Sequence, residues 1–95
     1  MENENKRNDI RQHIVFSGRV QGVGFRYRAY YIAQSLGLTG WVKNTWDDKV
    51  EMEVQGIKEA IQRMILLLHE QNYICIEEMH SNEIPLQQET GFHIR

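Results

Sequence analysis

The sequence predicts an α+β fold, in which an antiparallel sheet carries two helices on one of its faces. Apolar residues recur at helical spacing over residues 25–36 and 57–68, whereas apolar and polar residues alternate over residues 49–55. The segments follow the order β-α-β-β-α-β, with a short strand at the end. This order is that of the split-βαβ, ferredoxin-like sandwich.

The first half of the chain supplies a strand, a loop and a helix. Ile14 and Phe16 lie on one face of a strand over residues 10–17, and a glycine-rich loop follows over residues 18–24. The first helix then runs to Gly37, which stands where a C-cap glycine is expected.

A β-hairpin comes next. Residues 38–45 form the second strand, residues 46–49 are a polar turn, and residues 49–55 place Val50, Met52 and Val54 on the buried face. We expect Trp41 to pack on the sheet and Trp46 to cover the turn.

The last part of the chain is less regular. We expect the second helix to begin at Gly56 and end near Asn72, and a fourth strand to occupy residues 73–80. Ile74 and Ile76 are out of phase with Met79, which predicts a β-bulge. A polar connection over residues 81–90 leads to the final strand, residues 91–95.

Length and composition indicate one small domain over residues 10–95, preceded by a polar tail at residues 1–9 that we expect to be disordered. The net charge of −2 disfavours a broad nucleic-acid interface. One cysteine allows no internal disulfide, and the four histidines lack metal-ligand spacing. With no apolar run of membrane-spanning length and no apolar leader, we expect a cytoplasmic protein. We also expect it to act as a monomer.

The segment GRVQGVGFR, residues 18–26, is the strongest candidate for a functional site. Its glycines let backbone N–H groups approach a ligand, and the following helix start favours an anion. Arg26 opposes the helix dipole unless an anion lies between them. The loop therefore indicates a phosphate or carboxylate pocket, although the alternative of a plain turn with a surface arginine stays open.

Asn44 is the second candidate. It lies near the end of the second strand, which the predicted topology brings close to the glycine loop. Its carboxamide can hold a water molecule by hydrogen bonding, but an asparagine at this place also ends strands without any further role.

These two segments, residues 18–26 and the GWVKNT stretch of residues 40–45, resemble the two motifs of the acylphosphatase family. The resemblance continues through residues 50–56 and 91–95, and so covers the chain from Ile10 to Arg95. It departs from the family pattern at the connection from Glu70 to Tyr73, where the family often has glycine, proline or alanine.

The resemblance implies hydrolysis of the carboxyl-phosphate bond of small acyl phosphates to a carboxylate and inorganic phosphate, without a metal or other cofactor and without a covalent intermediate. Arg26 would bind the phosphoryl group, Asn44 would position the attacking water, and Gln21 and Thr45 would support the site. The backbone amides that would hold the phosphate belong to Gly22, Val23, Gly24, Phe25 and Arg26.

Two other functions are compatible with the same residues. The domain could be an anion-binding or regulatory module that has lost turnover, although both motif residues are intact. It could also bind RNA, since RNA-recognition domains share the βαββαβ order. Their aromatic-glycine motif lies on a central strand, however, whereas the similar residues here open a helix.

Overall fold

The computed structural model describes residues 8–95, which form one sheet and two helices in the predicted order. In chain order the elements are β1 Asp9–Arg19, α1 Phe25–Leu36, β2 Thr39–Asn44, β3 Val50–Ile57, α2 Lys58–His69, β4 Cys75–Ile84 and β5 Phe92–Ile94. The predicted tail at residues 1–9 lies mostly outside the described residues, but Asp9 already belongs to β1.

The five strands are ordered β4-β1-β3-β2-β5. The β1–β3, β1–β4 and β2–β3 pairs are antiparallel, as predicted. The short C-terminal strand, for which no direction was predicted, makes the sheet mixed, because β5 runs parallel to β2. The chain leaves β4 at one edge of the sheet and crosses to β5 at the other edge. Because β5 starts at the end of the sheet where β4 finishes, β5 runs opposite to β4 and parallel to β2.

The core lies between the sheet and the two helices. Ile14, Phe16, Val42 and Met52 face inward from the strands and are fully buried. The helices contribute Phe25, Ala29 and Ala33 from α1, and Ile61, Met64 and Leu68 from α2. The Phe16 and Phe25 rings are 5.0 Å apart, so the strand before the glycine loop and the helix after it are packed directly together.

Two predicted boundaries near the second helix are wrong. Gly56 belongs to β3, and α2 begins at Lys58, because Gly56 pairs with Ile10 of β1 and continues the sheet. A Cβ at Gly56 would lie 2.3 Å from Leu38 Cδ2, so this glycine lies in close contact with the Leu38 side chain instead of marking a helix start. The helix also ends earlier than predicted, at His69.

The predicted bulge is confirmed. Ser17 pairs with Glu78 while Gly18 pairs with Ile76, so Glu77 is the extra residue on β4. Beyond the bulge, β4 continues to Ile84 instead of ending at His80, because it pairs with β1 as far as Arg11. Most of its residues are exposed, as expected for an edge strand.

The connection from β4 to β5 is held against the sheet face opposite the helices. Arg11 is fully buried there, with its Nε 2.9 Å from Glu53 Oε1 and its Nη1 3.1 Å from Gln55 Oε1. Its Nη2 lies 2.9 Å from Glu89 Oε1, an ionic contact outside hydrogen-bond geometry. Gln87 also exchanges two hydrogen bonds with the Gln55 side chain. These contacts fix the route that brings β5 beside β2.

The two tryptophans differ in their surroundings. Trp41 is buried on the sheet face opposite the helices, where Arg95 lies 4.4 Å and Lys43 5.7 Å from its ring centroid. Trp46 is 95% exposed, so the prediction that it covers the turn is wrong.

No helix within residues 8–95 has the length and apolarity needed to cross a membrane.

Candidate active site

The loop between β1 and α1 owes its shape to two glycines. Gly22 and Gly24 have φ values of 74° and 81°, in the left-handed region that other residues rarely adopt. Space around both glycines is open, since a Cβ at either would meet no atom of residues 8–95 within 4 Å. Backbone conformation, rather than crowding, therefore explains these two glycines.

The loop ends at the N-terminus of α1, where no acidic side chain of the first turn neutralises the partial positive charge of the helix dipole. Gly24 is the N-cap residue and accepts a 3.0 Å hydrogen bond from Arg28 N. The first turn holds no acidic residue, and within residues 8–95 no side chain caps it. Unpaired N–H groups at this end, together with Arg26, suit an anion.

Arg26 is held beside the C-terminal strand. Its Nη1 donates a 3.1 Å hydrogen bond to the main-chain oxygen of Arg95. Arg95 N in turn donates a 2.8 Å hydrogen bond to Val42 O, two residues before Asn44 on β2. Arg26 therefore lies at the same end of the sheet as Asn44, linked to it through β5.

Gln21 joins the loop to the β2–β3 turn. Its Nε2 donates hydrogen bonds of 2.8 Å to both Thr45 O and Lys49 O. The Thr45 hydroxyl donates to Asp47 and accepts a 3.0 Å hydrogen bond from Lys49 N. Thr45 thereby shapes the turn that directly follows Asn44.

Asn44 ends β2 on the face that carries the helices. It pairs with Val50 of β3 and has the same orientation as the buried Val42, two residues earlier. Its side chain is half-buried, and none of the hydrogen bonds among residues 8–95 uses the carboxamide. The structure thus brings Gln21, Arg26, Asn44 and Thr45 to one end of the sheet, around the loop.

The same end of the sheet carries groups typical of anion binding rather than of metal coordination. No three His, Cys, Asp or Glu side chains of residues 8–95 are grouped as metal ligands would be. What surrounds the loop instead is a helix N-terminus, the Arg26 guanidinium and a carboxamide.

Comparison with known proteins shows to which family the chain belongs. A family model described as Acylphosphatase matches residues 12–94. The chain belongs to the acylphosphatase family. An acylphosphatase of Clostridium beijerinckii is 38% identical over 88 residues, which are 90% of this chain and 98% of the relative.

Other members of the family match over different lengths. The match to an acylphosphatase of Nostoc is 47% identical over 60 residues, which are 63% of this chain but only 59% of that relative. The solved structure of an acylphosphatase from Coxiella burnetii superposes with a TM-score of 0.89 at 31% identity and covers 100% of both chains. The acylphosphatase fold expected from the sequence is thereby confirmed.

Sequence reasoning missed the contribution of the C-terminal strand to this site. The resemblance included residues 91–95, but it gave no reason to connect Arg95 with Arg26. The contact depends on β5 lying parallel to β2, which places the main chain of Arg95 next to the end of β2. A three-residue strand carries no sequence signal for its direction or its partner.

Proposed function

We propose that this protein is an acylphosphatase that hydrolyses small acyl phosphates to a carboxylate and inorganic phosphate. The observation that carries the proposal is the loop of residues 20–24, with Gly22 and Gly24 in the left-handed conformation. It leads into a helix start beside Arg26 that no side chain of residues 8–95 caps. Membership of the acylphosphatase family supports it.

The phosphoryl group binds in the loop. Backbone N–H groups of Gly22, Val23, Gly24, Phe25 and Arg26 donate to its oxygens, and the Arg26 guanidinium adds a full positive charge. Among residues 8–95 the Arg26 side chain makes only the hydrogen bond to Arg95 O, and its remaining guanidinium N–H groups donate to phosphate. Charge that develops on these oxygens in the transition state is stabilised by donors that are already in place.

Water attacks phosphorus directly, positioned by the Asn44 carboxamide at the end of β2. The P–O bond to the acyl group breaks, and its electron pair leaves with the carboxylate, which is a good leaving group. A phosphate oxygen of the substrate takes the proton of the water, because neither motif supplies a general base. Positioning and electrostatic stabilisation are then sufficient for phosphoryl transfer, and we propose that no metal is needed.

Gln21 and Thr45 act as positioning residues. Gln21 keeps the loop against the β2–β3 turn, and Thr45 orders the turn next to Asn44. We further propose a cytoplasmic monomer whose ligands are acyl phosphates and phosphate, and which binds neither nucleic acid nor membranes. Light scattering of the purified protein and cell fractionation test the oligomeric state and the location.

The decisive experiment is release of phosphate from benzoyl phosphate and acetyl phosphate in EDTA, by the purified protein and by two variants. Arg26→Ala and Asn44→Ala each remove a group that contacts the reacting atoms, so we expect kcat to fall by about 100-fold or more. Circular dichroism and thermal unfolding check that both variants fold. Full activity in both variants would refute the assigned roles.

If the protein is instead an anion-binding or regulatory module without turnover, the same experiment has a different expected result. Inorganic phosphate would raise the midpoint of thermal unfolding, while neither acyl phosphate would be hydrolysed. Tight RNA binding that weakens with added salt would support the RNA-binding alternative instead.

A further inference from the structure

A groove of about 470 Å³ lies beside the loop on the side away from Asn44. Val23 and Gly24 of the loop line it, together with Tyr27, Arg28 and Tyr31 of α1. The connection between α2 and β4 contributes residues 71–74. Part of the lining thus comes from the segment at which this chain departs from the family pattern.

Three exposed tyrosines border this groove. Tyr27 and Tyr31 are 64% exposed and Tyr73 is 78% exposed, although each carries a large apolar ring. Tyr27 and Tyr31 are four residues apart on α1 and therefore share one face of the helix. Tyr73 lines the same groove from the connection between α2 and β4, so a flat group entering the groove can contact aromatic side chains of both segments.

The geometry of phosphoryl transfer relates the groove to the reaction. The attacking and leaving oxygens lie roughly in line on opposite sides of phosphorus. Asn44 and Arg95 belong to the β2–β5 side of the sheet, whereas Tyr73 and Ile74 lead into β4 at the opposite edge. If water attacks from the Asn44 side of a phosphorus atom bound in the loop, in-line geometry directs the acyl oxygen toward the groove.

We propose that this groove is the acyl subsite, and that it gives the protein a preference for acyl phosphates with an aromatic acyl group. The inference rests on the proposed hydrolytic function and deepens it. Tyr27, Tyr31 and Tyr73 are specificity-determining residues here: they contact the leaving group and take no part in binding the phosphoryl oxygens.

The test compares kcat/KM for benzoyl phosphate and acetyl phosphate, which share the phosphoryl group and differ in the ring. In the Tyr27→Ala/Tyr73→Ala double variant we expect the benzoyl-to-acetyl ratio to fall about three- to ten-fold, the range for lost aromatic contacts. The Tyr27→Phe/Tyr73→Phe variant keeps the rings and is expected to keep the ratio. Thermal unfolding checks the fold of each variant.

Trp46→Ala is the matched control, because Trp46 is an exposed aromatic residue on the Asn44 side of the site. We expect it to leave the benzoyl-to-acetyl ratio unchanged. An unchanged ratio in the tyrosine-to-alanine variant, or a lowered ratio in Trp46→Ala alone, overturns the acyl subsite while leaving the hydrolytic function intact. If the unmodified protein hydrolyses neither substrate, the hydrolytic function itself is refuted, and the subsite with it.

Discussion

The side-chain amide of Gln21 donates a 2.8 Å hydrogen bond to the main-chain oxygen of Thr45, which joins the glycine loop to the end of β2. The same Nε2 atom donates at 2.8 Å to Lys49 O on the other side of the β2–β3 turn. One side chain therefore fixes the distance between the segment that carries the loop amides and the segment that carries Asn44.

Replacing Gln21 by alanine tests this connection. The variant loses one part-buried and one exposed hydrogen bond, and Lys49 O keeps its hydrogen bond from Thr45 N, so we expect the free energy of unfolding to fall by about 1 kcal/mol. If the proposed mechanism is right, kcat for benzoyl phosphate falls as well, because the loop and Asn44 lose their fixed separation. Urea unfolding and steady-state kinetics measure the two effects.

Gln34→Ala is the control for that prediction. The Gln34 amide donates to the Tyr30 hydroxyl at 2.8 Å on the exposed surface of α1, away from the β2–β3 turn. We expect its free energy of unfolding to change by less than about 0.5 kcal/mol and its kcat to stay the same. Equal effects of the two substitutions would mean that Gln21 has no special positioning role.

Gly40 and Gly37 provide a second prediction, on stability alone. A Cβ at Gly40 would lie 1.9 Å from Glu53 O on the neighbouring strand, and φ there is 139°. Gly37 also has positive φ, at 70°, but no described atom lies within 4 Å of an added Cβ. We expect Gly37→Ala to cost about 1–2 kcal/mol from backbone strain. Gly40→Ala should cost clearly more, because β2 and β3 must also move apart.

Urea unfolding of the two glycine variants distinguishes strain from crowding. Both substitutions add the same methyl group at a positive φ, so the difference between them reports the clash with Glu53. Similar losses of unfolding free energy in the two variants would show that the sheet yields easily at Gly40.

The order of elements could be predicted because each one has a local signal in the sequence. Alternation in β3 and helical periodicity in α1 and α2 are visible within single segments, and the break in phase near Met79 correctly indicated the bulge. The start of α2 was missed because Gly56 suggests a helix boundary locally, whereas it pairs with Ile10 of β1 and packs against Leu38.

Features that depend on distant parts of the chain could not be predicted. Arg11 lies on the face of β1 opposite Ile14 and Phe16, where a charged residue indicates a solvated position, yet it is fully buried beneath the connection that contains Glu89. In the candidate site, the predicted topology already brought Asn44 close to the glycine loop. The hydrogen bonds of Gln21 to Thr45 O and of Arg26 to Arg95 O, which join segments far apart in sequence, had no local signal.

The turn after Asn44 gives a prediction about pH. The Thr45 hydroxyl donates to the Asp47 carboxylate, and this hydrogen bond, helped by the nearby Lys49 charge, lowers the pKa of Asp47 below its usual 3.8. Because the folded-state pKa is depressed, the stabilisation is present at neutral pH. It is lost only as the pH falls below 3.8 and through the folded-state pKa.

An NMR titration of the Asp47 carboxyl carbon measures this pKa directly. In Thr45→Val the hydroxyl is lost, and we expect the midpoint to rise toward 3.8. Thr45→Ser keeps a hydroxyl at the same place and should keep the lower midpoint. If the valine variant titrates like the unmodified protein, the hydrogen bond is not the main cause of the lowered pKa.

The buried Arg11 cluster gives the last prediction. In Arg11→Met the carboxylates of Glu53 and Glu89, whose side chains are 17% and 16% exposed, lose their cationic partner. Breaking one side of such a buried pair typically costs about 3–5 kcal/mol, and we expect a loss near the lower end because both glutamates keep some solvent contact. Urea unfolding at neutral pH measures it.

Lys43→Met is the control on the same sheet face. Its side chain is 44% exposed and its Nζ lies 3.7 Å from Glu51 Oε1, so its loss should cost less than about 1 kcal/mol. The Arg11 substitution has a further consequence that the lysine substitution lacks. Glu89 belongs to the connection that leads into β5, so release of this connection loosens the strand that places Arg95 O against Arg26. We therefore expect Arg11→Met alone to speed hydrogen exchange of the Arg95 amide, and equal exchange in both variants would contradict this role.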